Sequence, residues 1–199
     1  MNLLLIRHGE TQGNQNKILQ GQSEIALNEN GIKQAQAVAK RLRSESFDIV
    51  FVSDLNRAKE TAKYIVHYHQ QTKVIFTSCL RERSFGIFEG KPWKTYERAL
   101  QKSASNIFSF IPPKGESLQN LSQRVVDFHI KLSQEQAASN ILIIGHRDWL
   151  TMLQLHILKL DVNHKNFIRQ MPGNTAVSKV QIKSGRAVFA LSNCTRHLE

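Results

Sequence analysis

Apolar residues along this chain fall into two kinds of pattern. Leu3-Leu4-Leu5-Ile6 and Ile141-Leu142-Ile143-Ile144 are short unbroken runs, the mark of strands buried on both faces of a parallel sheet. Residues 48–52 and the short run 73–76 extend the set of strands. Between them apolar positions recur three and four apart, the period of a helix. One such segment is 29–44, with Ile32, Ala35, Ala39 and Leu42 on one face. A second follows Ser53 and Asp54, which suit helix capping, and turns Ala58, Thr61, Ala62, Ile65 and Val66 inward. The strongest covers 117–136, burying Leu118, Leu121, Val125, Phe128 and Leu132, and another runs from 148 to about 159. Near the C-terminus, runs at 176–182 and 187–191 flank Ser184-Gly185, the pattern of a hairpin. Strands alternating with helices predict an α/β fold. We expect three layers, with a mostly parallel central sheet flanked by helices and an antiparallel C-terminal hairpin at its edge.

Two stretches break the pattern. Residues 10–28 are polar and rich in Gln, Asn and Gly. Residues 85–117 hold Gly86, Gly90, Pro92, Pro112, Pro113 and Gly115 around one helix near 96–103. A long excursion of this kind inside a compact domain is usually functional, and 85–117 is expected to be lid-like. No repeat or linker divides the chain, so residues 1–199 are expected to form one domain.

Composition narrows the classes. No stretch approaches the ~18 apolar residues of a membrane span. The first apolar run is interrupted at Arg7 with no small-residue cleavage site after it, so it does not read as a signal peptide, and a cytoplasmic location is expected. Cys79 and Cys194 show no metal or redox spacing and are expected to be free, mostly buried thiols. The terminal Leu198-Glu199 reads either as native sequence or as a cloning remnant. The net charge of +11 suits an anionic small substrate, nucleic acid or simply a basic surface. Lysines and arginines are scattered and aromatics do not interleave with them, which disfavours nucleic acid. Neither a membrane nor a nucleic acid is expected as partner, and no oligomeric state is indicated.

The candidate chemistry lies where strands end. The first apolar run leads into Arg7-His8-Gly9-Glu10-Thr11, and the second into Gly145-His146-Arg147. Ligands of open α/β sheets sit just beyond the carboxyl ends of the strands. Two strands therefore deliver an imidazole and a guanidinium each to one edge. A phosphoryl group suits that pair, because guanidinium binds its oxygens and imidazole can attack phosphorus. Val50-Phe51-Val52 adds Ser53-Asp54-Leu55-Asn56-Arg57, and Glu82 follows the short strand at 73–76.

These residues resemble the histidine phosphatase superfamily, also called phosphoglycerate-mutase-like, from Leu3 to about Leu191. Five blocks carry the resemblance: Arg7-His8-Gly9-Glu10-Thr11 with Asn14; Ser53-Asp54-Leu55 with Arg57-Ala58 and Thr61-Ala62; Leu80-Arg81-Glu82-Arg83 with Phe85-Gly86 and Glu89-Gly90; Gly115-Glu116-Ser117 with Arg124; and Ile144-Gly145-His146. The resemblance implies a phosphoglycerate-mutase-like fold and a nucleophilic His8 that forms a phosphohistidine. It implies Arg7, Asn14, Arg57 and His146 as phosphate-binding residues, with His146 also counted as catalytic, and Glu82 as general acid and base. It implies no metal and no cofactor. Glu89 competes with Glu82 for the acid role, while Glu10 and Glu116 read as supports for arginines or helix ends. Thr11, Gly21, Arg83, Lys91 and Arg147 are further candidates for substrate contact, with Lys94, Tyr96, Arg98 and Lys114 in the same excursion. Thr11 reads equally as a cap. The family usually has Gly where Arg147 stands, so Arg147 either reaches a second anionic group or points away to pair with Asp148. His67, His69, His129, His156, His164 and His197 show no partner pattern and are expected as surface or core residues.

A compact excursion and tail favour hydrolysis of a small phosphoester over phosphoryl return. The third and fourth blocks resemble the fructose-2,6-bisphosphatase-like branch and are shared with ribazole phosphatases and broad-specificity phosphatases. A cofactor-dependent phosphoglycerate mutase and a non-catalytic phosphate-binding module are the alternatives.

Overall fold

A computed structural model describes residues 1–136, 139–183 and 185–199. One six-stranded sheet has β1 (Asn2–Arg7), β2 (Ile49–Ser53), β3 (Lys73–Thr77), β4 (Asn140–Gly145), β5 (Val177–Lys183) and β6 (Arg186–Cys194), in the order β3-β2-β4-β1-β5-β6. The first four of that order run parallel, and β5 and β6 are antiparallel to their neighbours. β1 pairs with β4 in a register that places Leu4 opposite Leu142 and Arg7 opposite Gly145.

Alternate residues of these strands face two separate cores, which explains their unbroken apolar runs. Leu3, Leu5, Ile141 and Ile143 pack on one face against Leu121 and Val125 of α5 (Leu118–Glu135) and Trp149 and Leu153 of α6 (Arg147–Ile157). Leu4, Ile6, Leu142 and Ile144 pack on the other against Val38 and Leu42 of α2 (Glu29–Leu42) and Ala58, Ala62 and Ile65 of α3 (Asn56–Val66). The three-layer α/β arrangement with a terminal antiparallel hairpin is thus the one the apolar pattern predicts.

The differences are local. The polar stretch contains a one-turn helix, α1 (Gln12–Gln15), closed by a Thr11–Asn14 capping box. α4 (Trp93–Lys102) begins three residues before the expected start. A seventh helix, α7 (His164–Gln170), has no counterpart in the expected pattern, because only Phe167 and Gln170 of its seven residues are buried. Ile32 is exposed, and Gly31 and Val38 take its place on the buried face of α2. Neither Ser53 nor Asp54 caps α3: Leu55 is the N-cap, and the Asn56 amide donates to Glu24 instead, at 3.0 Å. Of the expected hairpin turn, Ser184 lies outside the described residues, and Gly185 has φ +72°. Cys79 is exposed and Cys194 half-buried, so the expectation of buried thiols fails.

The excursion has a small core of its own. Tyr96 is enclosed by Phe85, Phe88, Trp93 and Phe110, with ring centroids 5.2–5.6 Å away. Leu19 from the polar stretch joins this cluster. Backbone bonds strap the two segments together, Leu19 donating to Lys91 at 2.9 Å and Gly90 to Leu19 at 2.8 Å. No described helix is long and apolar enough to cross a membrane.

Candidate active site

The parallel strand ends bring the two histidines side by side, with ring centroids 5.1 Å apart. Adjacent strands lie about 4.8 Å apart, so the in-register pairing of Arg7 with Gly145 sets this spacing. His8 is buried, and its Nδ1 lies 2.7 Å from the carbonyl of Gly9. A carbonyl only accepts, so Nδ1 carries the proton and Nε2 keeps its lone pair. The Gly9 amide donates to Thr61 Oγ1 at 2.9 Å, which pins the corner to α3. Burial, then Arg57 and Arg7, hold the His8 pKa well below its ordinary value, so the ring is neutral at pH 7.

His146, the N-cap of α6, is fully buried, and its Nε2 lies 2.7 Å from Ser53 Oγ. Ser53 Oγ also accepts from the Leu55 amide at 3.4 Å, which ties the hydroxyl to the start of α3. Burial, followed by Arg57, His8 and Arg7, also lowers the His146 pKa.

Two buried arginines flank the pair. Arg57, the second residue of α3, is anchored by Gly21 O at 2.6 Å and Ser23 O at 2.9 Å. Arg7 is anchored by Pro172 O at 3.0 Å. Burial pushes both pKa values down to about 10, still well above neutrality. Arg7 Nε and Arg57 Nε are buried with no acceptor among the described residues, and His146 Nδ1 is buried with no partner there. Each unpaired guanidinium donor costs about 1–3 kcal/mol, a cost that an oxyanion bound beside them would relieve.

Glu82 is held at the opposite side by the start of α6. Its carboxylate accepts from the amides of Arg83 at 3.0 Å, Asp148 at 3.2 Å and Trp149 at 3.3 Å. Burial, then the neighbouring Asp148 carboxylate, raises its pKa, outweighing Arg147 and the amide donors. The raised value thus arises from the protein itself, without a bound phosphate. Arg124 supports the segment from behind: it forms a bidentate pair with Glu116 at 2.9 and 3.1 Å and donates to the carbonyl of Arg81 at 2.8 Å.

These groups line a cavity of about 490 Å³. Arg7, His8, Asn14, Gly21, Arg57, Glu82, Arg83 and Arg147 all contribute to its lining, and His146 lies next to His8 behind it. Phe85, Trp93, Ile107 and Phe108 from the excursion form apolar wall, and Phe167, Ile168 and Met171 from and after α7 form more. The side-chain Oδ1 of Asn14 accepts from the Thr11 amide and from Asn174 Nδ2, both at 3.2 Å. Asn174 Nδ2 also reaches the His8 carbonyl at 3.0 Å. Gly21, at φ +50°, has no room for a side chain, since a Cβ would meet the Glu89 carboxylate.

Other candidates lie elsewhere. Thr11 is off the lining: its hydroxyl accepts from the Asn14 amide at 3.2 Å and donates to Gln20 at 2.8 Å. Lys91 is also off the lining, exposed, with its ammonium 5.8 Å over the Phe88 ring. Lys94, Tyr96, Arg98 and Lys114 do not line the cavity either. Glu89 braces loops, accepting from the amides of Gln22 at 3.1 Å and Phe85 at 3.0 Å and from the Ser23 hydroxyl at 3.0 Å. Glu10 binds the side chains of Asn28 and Asn30. His164, expected as a surface or core residue, stands on the cavity lining. Ser53, Thr61, Asp148 and Asn174 complete the site without having been read from the sequence as parts of it. Among the described residues, no three His, Cys, Asp or Glu side chains converge as metal ligands.

Paired Arg–His strand ends in a parallel sheet, with a carboxyl group held at a helix start, define an α/β protein with a cationic cavity at its strand ends. The profile of the histidine phosphatase superfamily (branch 1) matches residues 3–195, and the chain belongs to that family. It is 36% identical over 160 residues to the adenosylcobalamin/alpha-ribazole phosphatase of Escherichia coli, covering 77% of each chain. It is 41% identical over 130 residues to the fructose-2,6-bisphosphatase TIGAR of Xenopus tropicalis, covering 63% of this chain and 47% of that one. The chain thus spans about half the length of that relative. A metal-independent phosphoserine phosphatase of Arabidopsis thaliana is 35% identical over 161 residues, or 78% of this chain and 68% of that one. Among solved structures, the alpha-ribazole phosphatase of Shigella flexneri superposes with a TM-score of 0.86 at 31% identity, over 98% of this chain and 97% of that one. The fold is therefore phosphoglycerate-mutase-like.

Proposed function

We propose that this protein is a phosphomonoesterase that hydrolyses a small phosphorylated metabolite through a phosphohistidine on His8. One observation carries the reading: a neutral, buried imidazole with a free Nε2 stands with two buried guanidinium N–H groups that have no acceptor among the described residues. The phosphoryl group binds among Arg7, Asn14, Arg57 and His146. The His8 Nε2 lone pair attacks phosphorus, and the ester P–O bond breaks. Glu82, protonated, gives its proton to the leaving oxygen. Water then attacks the phosphohistidine while the Glu82 carboxylate takes a proton from it. The P–N bond breaks, phosphate departs, and His8 recovers its lone pair. Arg7, Arg57 and His146 stabilise the charge on the equatorial oxygens in both steps. Segment 85–117 covers the pocket, and its apolar residues keep water off the leaving group. The phosphatase names of the relatives support hydrolysis over mutation of the phosphoryl position.

The test is phosphate release from p-nitrophenyl phosphate, fructose 2,6-bisphosphate, phosphoserine and ribazole phosphate in the presence of chelator. We expect release by the wild-type protein and none by His8→Ala. Release that persists in His8→Ala would overturn the phosphohistidine route. Conversion of 3-phosphoglycerate to its isomer, without free phosphate, would establish the mutase instead.

A further inference from the structure

Arg147 and Asp148 form a charge cluster with Arg83 that the reaction above does not use. Asp148 is buried, and both its oxygens face guanidinium groups: Arg147 Nε at 3.0 Å and Arg83 Nε at 3.1 Å, the second too oblique for a hydrogen bond. Burial opposes the charge on Asp148, but Arg147 and Arg83 outweigh it and keep the carboxylate ionised. Two guanidinium groups thus share one carboxylate, and one positive charge is left over. Arg83 does not present it, because it is sealed in with only 2% of its side chain exposed, against the Phe85 ring and the Tyr96 hydroxyl. Arg147 does: 35% of its side chain is exposed, and it forms part of the cavity lining. Its Nε is held by Asp148, and its two terminal nitrogens have no acceptor among the described residues. Pairing with Asp148 and reaching substrate are therefore compatible, the pairing serving to orient the fork.

Resting on the phosphatase reading, we propose that Arg147, oriented by Asp148, binds a second anionic group on the leaving-group side of the ester, and so selects phosphomonoesters that carry a further carboxylate or phosphate. The charges agree with this. Arg7 and Arg57 match the phosphate dianion, and a protonated Glu82 adds none. A neutral leaving group would leave the Arg147 charge facing it uncompensated, and an anionic one pairs with it.

Matched esters test the proposal. 3-Phosphoglycerate differs from glycerol 3-phosphate by a carboxylate in place of a hydroxymethyl group, and fructose 1,6-bisphosphate from fructose 6-phosphate by one phosphate. The wild-type protein should favour the anionic member of at least one pair by about tenfold in kcat/KM, the scale of one charge-assisted hydrogen-bonded contact. The favoured pair tells carboxylate from phosphate. Arg147→Ala should bring that ratio close to one, chiefly through KM, and Arg147→Lys, which keeps the charge but loses the anchored fork, should fall between. A ratio unchanged in Arg147→Ala, or no preference in the wild type, overturns the proposal. The same pairs are titrated as intact ligands into His8→Ala, with and without Arg147→Ala, and the Kd ratio should collapse in the same way. If no ester releases phosphate, the hydrolytic reading falls, while the Kd ratio still decides the role of Arg147.

Discussion

Protonation at this site is settled by second partners, atom by atom. The Gly9 carbonyl fixes the proton of His8 on Nδ1, and the Ser53 hydroxyl holds the His146 ring through Nε2. Ser53→Ala leaves that buried nitrogen unpaired, so it should lower kcat/KM about tenfold and destabilise the fold by about 1–3 kcal/mol, measured as initial rates beside a melting curve. Glu82 makes a prediction in pH. Its raised pKa keeps it protonated to higher pH than an ordinary carboxyl, and raising pH through that value ionises it and removes the proton donor. His8, with its lowered pKa, loses activity only on the acid side. The alkaline limb of kcat/KM should flatten in Glu82→Gln. That variant should lose more rate on glycerol 3-phosphate than on p-nitrophenyl phosphate, whose leaving group departs without a proton. Residues that close a strand, such as Arg7, His8 and His146, were legible because core packing alone gives an apolar run no reason to stop on an imidazole or a guanidinium. Ser53 was not, since a hydroxyl after a strand looks like a helix cap, and its partner is 93 residues away.

Among elements, the excursion depends on one tight corner. Gly86 adopts φ +55°, and a Cβ there would run into the Pro113 carbonyl and stand 2.7 Å from the Gly115 amide. Gly86→Ala should destabilise the protein by about 1–3 kcal/mol, read as a lower urea midpoint, and should raise KM because Phe85 and Trp93 belong to the cavity wall. The long helices were readable because four or five apolar residues repeat along each. α7 was not, with one apolar residue buried in seven, although it supplies Phe167 and Ile168 to the cavity. Helix α6 shows a different kind of hidden information. Its first residues bear the charge cluster, and a sequence can show Arg147-Asp148 without showing that Arg83 closes on the same carboxylate.

For the molecule as a whole, imidazoles away from the cavity add to the acid sensitivity that His8 and His146 confer. His129 on α5 and His156 on α6 face one another with ring centroids 5.1 Å apart, a contact between two helices that no sequence pattern indicates. Burial, helped by His156, pushes the His129 pKa down to about 4. Burial, helped by Arg41, does the same to His197. An unfolded chain takes up these protons near pH 6.5 and the folded one does not. Stability is therefore full above that pH and is lost progressively as pH falls from about 6.5 toward 4. Urea midpoints at pH 7 and pH 5 should show the drop, and His129→Leu should reduce it.

The sheet order adds a consequence for biosynthesis. β1, which leads into His8, is made before the other strands, yet its neighbours are the fourth and fifth strands, and Asn2 meets Asn140 across 138 residues of chain. At roughly 5–20 residues per second, a ribosome leaves that apolar strand with neither edge paired for about 10–30 s. Throughout that interval an unbroken apolar run is open to whatever meets the nascent chain first.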